Sequence, residues 1–298
     1  MAETRRPDFV IIGAMKCATS TLHDQLARQS GVFMSTPKEP NFFSDDEQWA
    51  QGLCWYGSLF ETAQPDDLCG ESSTHYTKLP AYPDTVSRLS AHVPDAKFIY
   101  IMRDPIDRLV SQYIHEWSMR NISVPIDEAV RTHHELLDYS KYSMQIRPWL
   151  ERFGHAKVLP VFFERLTNRP DAEFDRICRF LGLDDTRSWY KEAEAKNVSS
   201  QRTQRSPFRD LVLSIPALKT LRRTLLPESV RERIKSRWRM EQRPELSQEA
   251  RLWVTKQLDS DIRELGQMLG IDLDCGSFSD RVVSLENAPS WVSEGFHV

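Results

Sequence analysis

What most constrains this chain is a unit near its start. Phe9-Val-Ile-Ile12 is a short apolar run rich in β-branched residues, the mark of a strand buried on both faces. It leads directly into Gly13-Ala-Met-Lys-Cys-Ala-Thr-Ser-Thr21 and then into Leu22–Gln29, which has helical spacing and stops at Gly31. The same order of strand, loop and helix recurs twice. Ala96–Met102 is a second buried-type strand, followed by Arg103-Asp-Pro and a long helix from about Ile106 to Met119. Lys157–Phe163 is a third, followed by Glu164-Arg-Leu and a helix over Asp171–Leu181 closed by Gly182. Units repeated in this order predict a parallel sheet covered by helices. Phe33–Phe43, with Pro37 and Pro40, is expected to be a loop.

Composition sets the outer limits. With 298 residues, 40% hydrophobic and 28% charged, the chain can bury a real core and is not a disordered one. No apolar run approaches the roughly 20 residues of a membrane span, and the polar Met1–Asp8 stretch does not read as a signal peptide. Five scattered cysteines without a CxxC pair read as reduced thiols in a cytoplasmic protein, with no metal site. The formal net charge is −4, unevenly spread: Arg202–Arg243 holds 12 basic and 4 acidic residues, leaving −12 on the remainder. Net acidity argues against nucleic acid as a partner. The basic stretch interleaves arginines with Leu211, Leu213, Leu218, Leu221 and Leu225. It reads either as a solvated helical face or as a surface for an anionic ligand or peripheral membrane contact. Ser247 is a plausible N-cap for a last helix whose Trp253, Val254, Leu258, Ile262, Leu265 and Leu269 fall at helical spacing and belong to the core. A single domain over 1–298 is expected, its core at about 8–202 and 246–273, with a basic helical excursion over about 205–245.

The loops carry the chemistry. A strand end followed by a helix start presents unpaired backbone N–H groups and the positive end of the helix dipole, suited to phosphate or sulfate. Lys16 adds a mobile charge, and Thr19, Ser20 and Thr21 add hydroxyl donors. The spacing is not that of the Walker A loop, because no Gly-Lys-Ser/Thr run exists. At the second strand end, Arg103 offers a planar guanidinium and Ser111, two turns into the next helix, a hydroxyl for an anion. Taken alone, a hydroxyl-rich loop also serves as an ordinary helix cap, and Arg103 as an ion-pair partner for Asp104 or Asp107. Taken together, two anion-binding loops on one sheet edge imply a ligand with two separated phosphate-type groups.

With these residues assembled, the chain resembles the sulfotransferases that use 3′-phosphoadenosine-5′-phosphosulfate (PAPS), in particular the heparan-sulfate-type branch of N-deacetylase/N-sulfotransferases and 3-O-sulfotransferases. Phe9–Leu22 is similar to the 5′-phosphosulfate loop, Lys38-Glu-Pro-Asn-Phe-Phe43 to a K-E-x-x-F-F segment, and Glu71-Ser-Ser-Thr-His-Tyr76 to E-K-[ST]-P-x-Y. Ala96–Tyr113 is similar to the 3′-phosphate unit with R-[DN]-P-x-x-R. Tyr142, Val158–Leu166 and Phe180-Leu-Gly182 resemble later pieces. The resemblance implies an α/β fold, a P-loop-like central parallel β-sheet flanked by helices, and a soluble bacterial member.

It further implies transfer of a sulfuryl group from PAPS, without a metal, to a hydroxyl or amine of a glycan, lipid or natural-product acceptor. Glu39 would be the general base and Lys16 would stabilise the leaving group. Lys38 would assist on the sulfonate, with His75 the alternative base. Lys16, Cys17, Ala18, Thr19, Ser20 and Thr21 would line the 5′ side of the donor, and Arg103 and Ser111 the 3′-phosphate. Arg202 and Arg205 would come from a late basic loop. Three departures stand out. Ala18 replaces a glycine, so the loop is expected to close without a residue that tolerates positive φ. Ser72 replaces a lysine, and Asn41 a histidine found in some members. With the acidic body, these favour a neutral or lipophilic acceptor. His23 is expected at the surface, and His115 as a structural residue. A P-loop kinase and a non-catalytic nucleotide-binding protein are the competing readings.

Overall fold

The computed structural model describes residues 5–183, 187–190 and 242–292. Five parallel strands form one sheet in the order β2-β3-β1-β4-β5. They are β1 Phe9–Gly13, β2 Val32–Met34, β3 Leu68–Ser72, β4 Lys97–Met102 and β5 Val158–Phe162. β1, β4 and β5 lie where the apolar runs predict. β2 runs into the stretch expected as a loop, because the first proline, Pro37, comes only after the strand has ended. β3 is hidden in sequence by its composition, Leu-Cys-Gly-Glu-Ser. It is buried nonetheless, since Gly70 lets its neighbours close over it: a Cβ there would lie 2.2 Å from the Phe9 ring and 2.6 Å from Met34 Sδ.

β1 is the sheet's centre, with all five residues buried and Phe9 in register with both Gly70 and Lys97. β5 is hydrogen-bonded within the sheet to β4 alone, which is why it tolerates Pro160, a residue with no ladder donor. Helices cover the faces. Thr19–Leu26 follows β1, Pro105–Met119 follows β4, and Phe163–Asn168 with Pro170–Leu181 follows β5. The last long helix, Gln248–Leu269, is capped by Ser247, whose Oγ accepts from the Ala250 N–H at 3.2 Å. Its Val254, Leu258, Ile262 and Leu265 are fully buried, whereas Trp253 is half-buried under the Arg131 guanidinium, 5.0 Å from the ring centre. Asp261 on that helix accepts from the backbone N–H groups of Ser143 and Met144, fastening the start of the helix Tyr142–Phe153.

Arg202, Arg205 and all but residues 242–245 of the basic excursion lie outside the described residues. Four of the five cysteines, Cys17, Cys69, Cys178 and Cys275, are buried, and Cys54 is exposed. Among the described residues no helix is long and apolar enough to cross a membrane.

The C-terminal elements are tied on by Arg165. Its Nε donates to Glu173 Oε1 at 2.5 Å, and one terminal nitrogen donates to the carbonyls of Val282 and Leu285 at 3.0 and 2.7 Å. Both side chains of the pair are essentially buried, 4% and 2% exposed. Removing Arg165 leaves the buried Glu173 with Arg176, at 3.2 Å, and deprives the Val282 and Leu285 carbonyls of their donor. Arg165→Met is therefore expected to cost about 3 kcal/mol or more, read as a lower urea midpoint at unchanged slope.

Candidate active site

Because the strands are parallel, the C-terminal ends of β3, β1 and β4, which are neighbours, open on the same edge of the sheet. The loop after β1 turns into the helix Thr19–Leu26 through Ala18, which takes φ 68° and ψ 23°. Lys16 is also left-handed, at φ 71°. The expectation that Ala18 avoids positive φ is thus overturned: the alanine adopts the conformation, at a cost of roughly 1–2 kcal/mol for an L residue. No side chain caps this helix. The Leu22 N–H finds the Ala18 carbonyl at 3.1 Å, while the N–H groups of Thr19, Ser20 and Thr21 precede the first intrahelical bond. Cys17 contributes differently from what its place in the loop suggests. Its N–H is taken by the Ala14 carbonyl at 3.2 Å, and its thiol is buried 3.9 Å from the Tyr142 hydroxyl. Burial pushes that thiol up to about 12.

At the end of β4, Asp104 caps the next helix by accepting from the N–H groups of Ile106 and Asp107 at 3.0 and 2.9 Å. The Tyr142 hydroxyl pins Arg103, accepting from its N–H at 3.2 Å and donating to its carbonyl at 2.7 Å. The Arg103 guanidinium lies 4.5 Å from the centre of the Phe163 ring and meets Asp107 Oδ2 at 3.2 Å. Its Nε is buried with no hydrogen-bond partner among the described residues. Arg243 meets the other oxygen of Asp107 at 2.7 Å. Ser111 lies further along the helix, 5% exposed. The second arginine of the motif does other work: Arg108 is fully buried and donates to Ser140, Gln112 and the Leu136 carbonyl at 2.6, 2.9 and 2.8 Å.

The third corner hangs on β3. The Glu39 N–H donates to the Ser72 carbonyl at 2.9 Å, and the Asn41 N–H to Ser73 Oγ at 3.0 Å. Both residues are held at positive φ, 59° and 52°. Ser73 Oγ in turn donates to Glu71 Oε1 at 2.6 Å, and the Tyr56 hydroxyl donates to the other Glu71 oxygen. The Glu39 carboxylate accepts from Lys38 Nζ at 2.6 Å. Burial raises the Glu39 pKa, but the charges and hydrogen bond of Lys38, with Lys78 behind them, outweigh it and hold the carboxyl below its ordinary value.

His75 stacks on Tyr82, ring centres 4.7 Å apart, with its Nδ1 buried and without a hydrogen-bond partner among the described residues. Burial, then the Lys78 charge, lowers it to about 4. His23 is not at the surface. It is 8% exposed, its Nδ1 is 2.9 Å from Ser72 Oγ, and burial followed by Lys38 brings it to about 4.

The structure brings together Glu39, Lys38 and His75, and it sets the Lys16 loop and Arg103 on the two adjacent strand ends. Sequence reasoning missed Lys78. This lysine is 9% exposed, 5.6 Å from the centre of the Tyr139 ring, and lowered to about 8 by burial. It sits two residues beyond the last motif position, Tyr76, where no pattern marks it.

Comparison with known proteins places these elements in context. Residues 55–187 match the model of the sulfotransferase family. The chain is 30% identical over 187 residues to mouse heparan sulfate glucosamine 3-O-sulfotransferase 3B1, a match covering 59% of this chain and 46% of that protein. It is 32% identical over 206 residues to the Dictyostelium discoideum membrane-associated sulfotransferase kil1, covering 62% and 41%. The chain thus spans less than half the length of these relatives. A crystal structure of a sulfotransferase from Alicyclobacillus acidocaldarius superposes with a TM-score of 0.63 at 22% identity, over 90% of this chain and 98% of that one. That likeness is one of fold.

The two buried histidines set an acid limit. Each is held near 4 in the folded state against 6.5 unperturbed, so the unfolded chain binds more protons between those values. Their contribution is present above about pH 6.5 and lost as pH falls toward 4. The melting temperature is expected to fall across that window, and less steeply in the His23→Gln/His75→Gln double variant.

Proposed function

We propose that this chain, which matches the model of the sulfotransferase family over residues 55–187, moves a sulfuryl group from PAPS to a hydroxyl or amine acceptor by in-line displacement. The observation that carries the reading is the Lys38-paired Glu39, in the loop after β2 and hydrogen-bonded to the end of β3, the strand beside the one whose helix start has no side-chain cap among the described residues. A phosphosulfate seated on the N–H groups of Thr19, Ser20 and Thr21 has Lys16 in the same loop. Arg103, one strand over, is suited to the donor's 3′-phosphate, because its buried Nε lacks a hydrogen-bond partner among the described residues and its pair with Asp107 can be exchanged for a stronger anion.

In the transfer, the acceptor oxygen or nitrogen bonds to sulfur as the bridging O–S bond breaks. Glu39 takes the acceptor's proton, and the adenosine 3′,5′-bisphosphate leaves with the bond's electrons. Lys16 counters the charge that grows on the bridging oxygen, an interaction strongest in the transition state. Lys38 performs two tasks: it keeps Glu39 ionised and presents a cation to the sulfonate. His75 is the weaker candidate for the base, since it sits in a stack with Tyr82. Ser72 is fully buried against His23. The acceptor side therefore has no lysine at that position for a polyanion, which supports a neutral or lipophilic acceptor.

The first test is thermal stabilisation by adenosine 3′,5′-bisphosphate compared with ATP. At 100-fold excess over Kd the bisphosphate should add about 2.7 kcal/mol; equal shifts, or none with the bisphosphate, contradict the reading. A second set divides the roles. Glu39→Gln is expected to lower turnover by ~10²–10⁴ with donor binding intact. Arg103→Ala should weaken bisphosphate binding by roughly 2–4 kcal/mol, whereas Lys16→Ala should cost more in turnover than in affinity. Matched affinity losses in the last two would refute this division.

A further inference from the structure

Asp107 stands between two guanidiniums. Arg103 meets its Oδ2 at 3.2 Å, and Arg243 meets its Oδ1 at 2.7 Å. The transfer described above uses Arg103 for the donor's 3′-phosphate and gives Arg243 no part. Yet Arg243 reaches this corner from 136 residues further along the chain, at the end of the basic stretch. Its backbone is restricted by Pro244, which follows it. Ser247 then fastens the segment, its N–H donating to Asp127 Oδ1 at 3.0 Å while its hydroxyl caps the last long helix. Asp107 is fixed in the first turn of the helix Pro105–Met119, where its N–H donates to Asp104 Oδ1 at 2.9 Å. Arg103 is confined everywhere but at its tip. The Tyr142 hydroxyl pins its backbone, and the Phe163 ring lies against its guanidinium. A change of partner at this corner therefore takes place between the tip of Arg103 and Asp107.

A carboxylate is a liability beside an anion site. A phosphate that takes over the Arg103 guanidinium sits about two hydrogen-bond lengths, roughly 6 Å, from Asp107. Its charge repels the carboxylate at the moment when Asp107 loses Arg103. We propose that Arg243 is a positioning residue of this corner that acts through Asp107. By holding one carboxylate oxygen, it lets Arg103 leave the other for the 3′-phosphate without a bare negative charge remaining beside the ligand. An arginine suits the task because it stays charged throughout the working pH range. The inference rests on Arg103 receiving the 3′-phosphate in the proposed transfer. It confines the effect of Arg243 to ligands that carry that phosphate, and it makes the effect depend on Asp107.

The test is calorimetric titration of the full chain with adenosine 3′,5′-bisphosphate and with adenosine 5′-monophosphate, which lacks the 3′ group. The Arg243 and Asp107 side chains are 39% and 48% exposed, so substitutions there spare the core. Arg243→Gln is expected to weaken bisphosphate binding roughly three- to tenfold at low salt, and less at about 0.5 M salt, where an exposed charge is screened. Binding of the monophosphate should not change. Arg243→Lys keeps the charge and should stay within about twofold of wild type. Asp107→Asn removes the carboxylate and keeps its shape. Placed on top of Arg243→Gln, it should restore bisphosphate binding to the wild-type level or beyond, the non-additivity expected of two residues that act as one unit.

A loss that Asp107→Asn does not restore means that Arg243 touches the phosphate itself, and it overturns the proposal. Bisphosphate binding indifferent to Arg243 overturns it as well. So does an equal loss for both nucleotides, which marks a general disturbance of the corner. A wild-type chain that does not bind the bisphosphate, or whose binding Arg103→Ala leaves unchanged, overturns instead the function on which the inference is built.

Discussion

Parallel pairing of β3, β1 and β4 is the constraint on which everything else depends. In an antiparallel sheet, successive strands would deliver their loops to opposite edges. Here one edge receives a helix start from β1, a guanidinium from β4 and a carboxylate-bearing loop hung on β3. The pairing is held by a core with little freedom. β1 is buried along its whole length, and it meets β3 at Gly70, where no side chain fits between Phe9 and Met34. A shift of β3 by one residue would bring Glu71, fully buried and bonded to Tyr56 and Ser73, into the position of that glycine. It would also move the Ser72 carbonyl that anchors Glu39.

The strain in the edge loops follows the same logic. Lys16, Ala18, Glu39 and Asn41 all have positive φ without being glycine. Residues in such regions persist only where their surroundings over-determine them. For Glu39 and Asn41 the surroundings include two hydrogen bonds donated by their N–H groups to consecutive residues, the Ser72 carbonyl and Ser73 Oγ. For Ala18 they are the helix it opens and the buried Cys17 beside it.

Much of this was legible in the sequence, and the parts that were not share a cause. Apolar runs of β-branched residues report burial on both faces, so β1, β4 and β5 stood out. β3 is just as buried, but through Gly70 and a hydrogen-bonded Glu71 rather than through apolar side chains, and no hydropathy pattern marks such a strand. His23 was misjudged for the same reason. On a short helix of mixed polarity it reads as solvent-facing, and only the position of Ser72 across the sheet makes it buried. The Lys16 loop and Arg103 were legible because their chemistry is local: strand end, helix start and cation occur within a few residues. Lys78 depends on Tyr139, which is 61 residues away, a relation that spacing does not carry.

Glu71, Glu164 and Glu39 are buried or partly buried carboxyl groups close to this edge, and their surroundings separate them. Glu71 is fully buried among hydroxyls, without a cation, and burial raises its pKa. Glu164 accepts from the Asp104 N–H at 2.7 Å, leaves its other oxygen unpartnered, and is likewise raised by burial. Glu39 alone is lowered, because two lysines outweigh its burial. The first two hold the surrounding chain in place: Glu71 accepts from Ser73 Oγ and Glu164 from the Asp104 N–H. Environments that push like groups apart are how one fold assigns different tasks to the same side chain. By that criterion Glu39 is set apart by its cations, as its proposed role of base requires. In the proposed transfer the same cations would limit its strength as a base, which favours an acceptor whose proton leaves in concert with bond formation to sulfur, not ahead of it.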